Sequence, residues 1–161
     1  MSIDVVEVNL EDETQVGASI DVLDTYAREP VGGSEPIAAD VRGRLLKDLR
    51  HVDNAIILAA LDDDGRFVGV AVCFRGYSTF KAGPLLNIHD IAVLPGLRGR
   101  GIGHALLDAV EARARADGCC KITLEVLDDN LGARRLYENV GFGDGGPGAG
   151  DTTTLFMQKP L

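Results

Sequence analysis

Sixteen consecutive residues constrain this chain more than any other feature: Ile88-His89-Asp90-Ile91-Ala92-Val93-Leu94-Pro95-Gly96-Leu97-Arg98-Gly99-Arg100-Gly101-Ile102-Gly103. A strand pattern from Leu85 to Leu94, bracketed by Pro84 and Pro95, runs through a glycine turn into a helix with Leu106, Leu107, Val110 and Ala114 on one face. The first turn of a helix has unpaired N–H groups and a partial positive charge, which together attract an anion. Gly99, Gly101 and Gly103 let that backbone approach an anion with no Cβ in the way, and Arg98 and Arg100 add charge. A turn with no ligand needs one glycine and gains nothing from three plus two arginines. The segment predicts a site for phosphate or pyrophosphate.

Composition limits what surrounds it. The chain has 161 residues, enough for one domain spanning 1–161 that buries roughly 70% of its unfolded surface. Apolar residues at 45% and charged residues at 25% describe a globular chain. Twenty-five acids against sixteen bases give a net charge of −9, a field that repels nucleic-acid backbones and excludes them as partners. The longest uncharged apolar run, Ala55 to Leu61, is far short of the ~20 residues a bilayer requires, so no membrane association is expected. Met1-Ser2-Ile3-Asp4 lacks the basic and then apolar pattern of a signal peptide. Cys73, Cys119 and Cys120 form no C-x-x-C pair, which points to reduced, buried thiols in the cytoplasm.

The order of elements predicts a mixed α/β fold, with a mostly antiparallel sheet flanked by helices. A first strand holds Val5, Val6 and Val8, and a helix to about Arg28 places Val16, Ile20, Leu23 and Ala27 on one face. After a loop at 29–36, a second amphipathic helix carries Ile37, Val41, Leu45 and Leu49. Two apolar runs around Asp62-Asp63-Asp64-Gly65 form a hairpin, whose aspartates read as a solvated turn rather than a metal site. Residues 75–84 are expected to connect to the next strand, with Tyr77 and Phe80 either lining a pocket or covering the hairpin. Gly118 ends the long helix, Lys121 to Val126 is a strand, and Asn130 to Val140 a short helix closed by Gly141. Gly141 to Gly150 reads as a loop or weakly paired edge, and Thr152 to Gln158 as the last strand.

Spacing sorts the phosphate ligands. The loop G-x-x-x-x-G-K-[ST] is absent. The dinucleotide pattern G-x-G-x-x-G fails at His104 from one start and at Leu106 from the other, although Glu125 lies where a ribose-binding acid would sit. Arg98-x-x-Gly101-x-Gly103 does fit a known pattern, Q/R-x-x-G-x-G/A. Here the sequence resembles the GCN5-related N-acetyltransferases (the GNAT superfamily) at their acyl-CoA pyrophosphate loop. Asn130, Ala133, Tyr137, Gly141 and Phe142 fall on a second motif of that family, N-x-x-A-x-x-x-Y-x-x-x-G-F. The resemblance covers about 85 to 142 at the residue level, and the earlier elements follow the family's order.

The resemblance implies a GNAT-like acyl-CoA N-acyltransferase fold with splayed central strands, and acetyl-CoA as co-substrate in the gap. Backbone N–H groups of Arg98, Gly99, Arg100, Gly101, Ile102 and Gly103 would hold the pyrophosphate. The backbone of Ile91, Ala92 and Val93 would pair with the pantetheine arm, and Asn130 would contact that arm from the far side. Tyr137 matches the residue that protonates or hydrogen-bonds the departing sulfur. A phenol near ~10 against a thiol near ~8.5 makes full transfer uphill by roughly 2 kcal/mol, so hydrogen bonding needs less tuning.

The acceptor would be the amine of a small molecule or peptide, attacking directly in a ternary complex. An amine with pKa near ~10.4 must lose a proton first. His89, of a type that titrates near ~6.5, is the candidate base, level with a purely structural histidine. Asp90 is a third option, placed on the opposite face by strand alternation unless a bulge intervenes. A homodimer is compatible with the resemblance. The rival classes are a non-catalytic acyl-CoA-binding regulatory domain and a nucleotide-binding oxidoreductase.

Overall fold

The computed structural model describes residues 2–144 and 154–161. Its elements are β1 (Asp4–Glu7), α1 (Glu13–Ala27), α2 (Ala39–Asp48), β2 (Ala55–Leu61), β3 (Phe67–Ser78), β4 (Gly83–Val93), α3 (Ile102–Ala116), β5 (Lys121–Leu127), α4 (Leu131–Asn139), β6 (Gly143–Asp144) and β7 (Thr154–Pro160).

An apolar run without alternation must be covered on both faces, and β2 shows this: all its residues except Leu61 are buried. On one face Ile56 and Leu58 join Leu106, Val110 and Ala114 of α3 in a core that also takes Tyr137 and Phe142. On the other, Ile57 and Ala59 meet Val16, Ile20 and Val22 of α1. Asp12 starts α1 by accepting hydrogen bonds from the Thr14 and Gln15 amides, at 2.9 and 3.3 Å. Gly118, at φ +71°, follows α3 in the left-handed region that ends a helix.

Among the described residues the strands form one sheet in the order β1-β2-β3-β4-β5-β7-β6. The β4–β5 pair is parallel and the others are antiparallel. This is the mixed α/β architecture expected. It is not the doubly wound parallel sheet of a dinucleotide-binding oxidoreductase, so that class drops out.

Three expectations need correction. Residues 75–84 are not a plain connection: β3 and β4 pair to Tyr77↔Pro84 and Ser78↔Gly83, leaving 79–82 as the turn. Tyr77 is 63% exposed and Phe80 fully exposed at that tip, so neither lines a pocket nor covers the hairpin. Helix α2 has the predicted period but no fully buried residue: Leu45 and Leu46, with Ile37 and Leu49 beyond its ends, pack partly buried against the α1-side core, and Arg42 pairs with Asp21 of α1 at 2.7 Å. The glycine-rich edge narrows to the two-residue β6, and 145–153, with Thr152 of the last strand, lies outside the described residues.

Asp62 of the hairpin serves the turn itself, its Oδ1 accepting from the amides of Asp64 and Arg66 at 3.0 and 2.9 Å, while Asp63 Oδ1 accepts the Ser2 amide at 2.9 Å. Cys73 and Cys119 are buried free thiols, Cys120 is half-buried, and burial pushes the Cys73 thiol up to about 12. No helix among the described residues is long and apolar enough to cross a membrane.

Leu106 is fully buried between α3 and the sheet. Leu106→Ala should destabilise the fold by about 2–5 kcal/mol, read as a lower urea midpoint with an unchanged slope.

Candidate active site

The parallel ladder between β4 and β5 is short. It runs from Leu85↔Lys121 to Ile88↔Leu124 and stops, although β4 continues to Val93 and β5 to Leu127. Backbone groups of β4 that face β5 beyond Ile88 therefore have no strand partner. The gap is a cavity of about 380 Å³, with His89, Asp90 and Ile91 on one wall, Glu125 and Leu127 on the other, and Tyr137 of α4 closing it.

On β4 the pairing with β3 slips: Cys73 faces Ile88, Val72 faces Asp90, and His89 is the extra residue of a bulge. The consequence is visible in the core on either side. Ile88 packs with the α3 layer, and so do Ile91 and Val93, three and five residues on. Ala92 packs with the α1 layer, and the His89 ring meets Phe74 of that layer edge-on at 5.4 Å and 81°. The bulge, the exception to strand alternation, thus turns His89 and Asp90 to the same face, and both line the cavity. Burial raises the Asp90 carboxyl above the usual carboxylate range, opposed by the neighbouring His89.

The turn into α3 has the backbone its glycines predict. Gly99 and Gly101 have φ of +76° and +87°, with open space where a Cβ would stand. Gly103 serves packing instead, since a Cβ there would meet Leu136 Cδ2 at 2.8 Å. Helix α3 begins without a side-chain cap or an acidic residue in its first turn. Its leading amides therefore have no capping side chain to accept from them, which leaves a start suited to an anion. The Ile102 side chain is buried in the core, so only its backbone faces the turn. Arg98 does not offer a free cation: its guanidinium binds Glu29 at 2.6 Å and the Val93 carbonyl at 3.3 Å. Arg100 is exposed.

Asn130 caps α4 by accepting the Ala133 amide at 3.2 Å while lining the cavity. Tyr137 is 5% exposed, packs edge-on to Phe142 at 6.0 Å, and also lines the cavity. Burial pushes its phenol well above the ordinary value, with nearby Tyr26 adding to the rise.

Tyr26 was invisible in the sequence. It lies in the last turn of α1, at a spacing that says only that it shares a face with Leu23. The structure places it beside Asp90 and Glu29, whose charges, after burial, raise its phenol. A second cavity of about 420 Å³ opens between α1, α2 and the sheet, and it meets the first at Tyr26, His89 and Asp90. His51 and His104 are exposed and away from both cavities.

Residues 20–142 match the family described as "Acetyltransferase (GNAT) family". The uncharacterized N-acetyltransferase YhfO of Bacillus subtilis (strain 168) is 30% identical over 107 residues, 65% of this chain and 71% of that protein. The thialysine N-epsilon-acetyltransferase of Bos taurus is 39% identical over 77 residues, 48% of this chain and 45% of that enzyme, so the match spans less than half of its length. A chain in the crystal structure of the NatC complex bound to Gag peptide and CoA superposes with a TM-score of 0.76 at 22% identity, covering 100% of this chain and 99% of that one. That last likeness shows the fold.

Because burial raises its carboxyl, Asp90 favours the fold in its protonated form. That contribution is fully present below the unfolded pKa and is lost as pH climbs through the raised folded value. Asp90→Asn should therefore gain on the parent in urea midpoint between pH 3 and pH 7; a constant difference across that range would contradict the burial described.

Proposed function

The chain belongs to the acetyltransferase (GNAT) family and is an acetyl-CoA-dependent acetyltransferase; we propose that it acetylates a primary amine by direct attack within one ternary complex. The observation that carries this reading is the end of the β4–β5 ladder at Ile88↔Leu124, with His89, Asp90, Asn130 and Tyr137 all lining the resulting gap. The name of the bovine relative, an enzyme for the ε-amine of thialysine, supports an amine acceptor. Neither the family nor these relatives favour a non-catalytic acyl-CoA-binding module. Residues 1–161 act as one catalytic domain.

When bound, acetyl-CoA supplies the thioester carbonyl and a thiolate leaving group. The backbone amides of Arg98 through Gly103 hold its pyrophosphate, helped by the uncapped start of α3. The unpaired edge of β4 at Ile91, Ala92 and Val93 receives the amides of the pantetheine arm, as another strand would. Asn130 steadies that arm from α4.

The acceptor ammonium enters from the second cavity, where the two meet at Tyr26, His89 and Asp90. Asp90 attracts the cation, and His89, on the same face because of the bulge, removes its proton directly or through water. Tyr137 donates a hydrogen bond to the sulfur as charge develops there. Its raised pKa widens the gap to a thiol, which favours hydrogen bonding over complete proton transfer.

Tyr137→Phe should lower kcat by roughly 10²-fold with CoA affinity little changed. Gly101→Val, forcing a branched side chain to φ +87°, should abolish the heat of CoA binding in calorimetry. His89→Ala should cost about 10²–10⁴-fold in kcat, whereas Asp90→Asn should act mainly through KM. Free-thiol release with an accepted amine reads the rates, and parental behaviour of both Tyr137→Phe and Gly101→Val would overturn the assignment.

A further inference from the structure

The second cavity narrows the choice of acceptor. Its walls are apolar side chains from three elements: Ile20 and Leu23 of α1, Leu45 of α2, Leu49 just beyond it, and Val72 and Phe74 of β3. Leu23, Leu45, Leu49 and Phe74 are only partly buried, so the groove has unfilled apolar surface. Of the described residues lining it, Asp90 is the sole carboxylate, and it stands at the end shared with the gap between β4 and β5. Helix α2 borders this groove through Leu45. Its polar side is tied to α1 by Arg42–Asp21, and Asp24 accepts the Ile37 amide at 2.7 Å, holding the connector at the groove.

We propose that the acceptor is a monoamine with an apolar body: its ammonium meets Asp90 and His89 at the junction, and its hydrocarbon part fills the groove between α1, α2 and β3. This rests on the acetyl-transfer reading and specifies its second substrate. One positive charge matches the one carboxylate. A polyamine or aminoglycoside would leave further ammonium groups among Leu23, Leu45 and Phe74 with no partner, a costly burial of unpaired charge. Each methylene of a monoamine instead leaves water for an apolar wall. The overall charge of −9 draws cations of every kind to the surface, so selection among them falls to the groove.

The test is free-thiol release from acetyl-CoA by the full chain with two sets of amines. One is the n-alkylamines from methylamine to hexylamine with phenethylamine; the other is spermidine and kanamycin. For the first set kcat/KM should rise about fourfold per methylene until the groove is full, while the polycations lag behind hexylamine. Leu45→Arg, on the half-exposed face of α2, should raise KM for hexylamine on the order of tenfold, and leave methylamine kinetics and the heat of CoA binding unchanged. Rates that favour the polycations, or that ignore alkyl length, overturn the apolar acceptor and leave acetyl transfer standing. Thiol release with no amine of either set overturns acetyl transfer to amines together with it.

Discussion

Everything in the site follows from a hydrogen-bond ladder that is prevented from closing. β4 is held by β3 as far as Gly69↔Val93, and β5 is held by β7 as far as Leu127↔Thr154. Each strand is fixed along its outer edge, so the inner edges cannot swing together after Ile88↔Leu124. An amide left without a partner costs about 1–3 kcal/mol when buried, so a sheet tolerates such a gap only where water or a ligand completes it. A ligand arm with amides of its own suits this edge because it restores what the diverging strands remove. The opening therefore selects for peptide-like chemistry before any side chain is considered.

Charge works at two ranges here. The net −9 opposes the approach of any polyanion. The turn before α3 answers locally, through amides directed by Gly99 and Gly101 and a first helical turn free of acidic residues. Arginine side chains contribute less than their number implies, because Arg98 is engaged by Glu29. That ion pair joins the turn after β4 to the segment following α1.

Much of the site was legible in the sequence because it is written in local chemistry. The glycine spacing at 99–103, the Asn130 to Phe142 spacing and the apolar faces of α1 and α3 all report on residues a few positions apart. What escaped depends on distant partners. The bulge at His89 arises from the mismatch between β3 and β4, which strand alternation along β4 alone does not encode. Tyr26 matters only because α1 crosses over Asp90. The amphipathic period of α2 is genuine, but period cannot tell a face that packs from one that borders an open groove. Tyr77 and Phe80 mislead for the converse reason, since aromatic residues near a strand end look like a pocket until the hairpin is seen to extend past it.

The extra residue in β4 also sets a rule for how this strand can change over time. Upstream of it Ile88 faces the α3 layer, and downstream Ile91 and Val93 return to that layer only because His89 has been counted in. Deleting or inserting one residue anywhere between 88 and 91 would turn Ile91 and Val93 toward the α1 layer and pull Ala92 across in their place. Point replacements at His89 or Asp90 carry no such penalty. The side chains at 89 and 90 can thus change without disturbing the packing on either face, whereas the length of the strand is set by its register with β3.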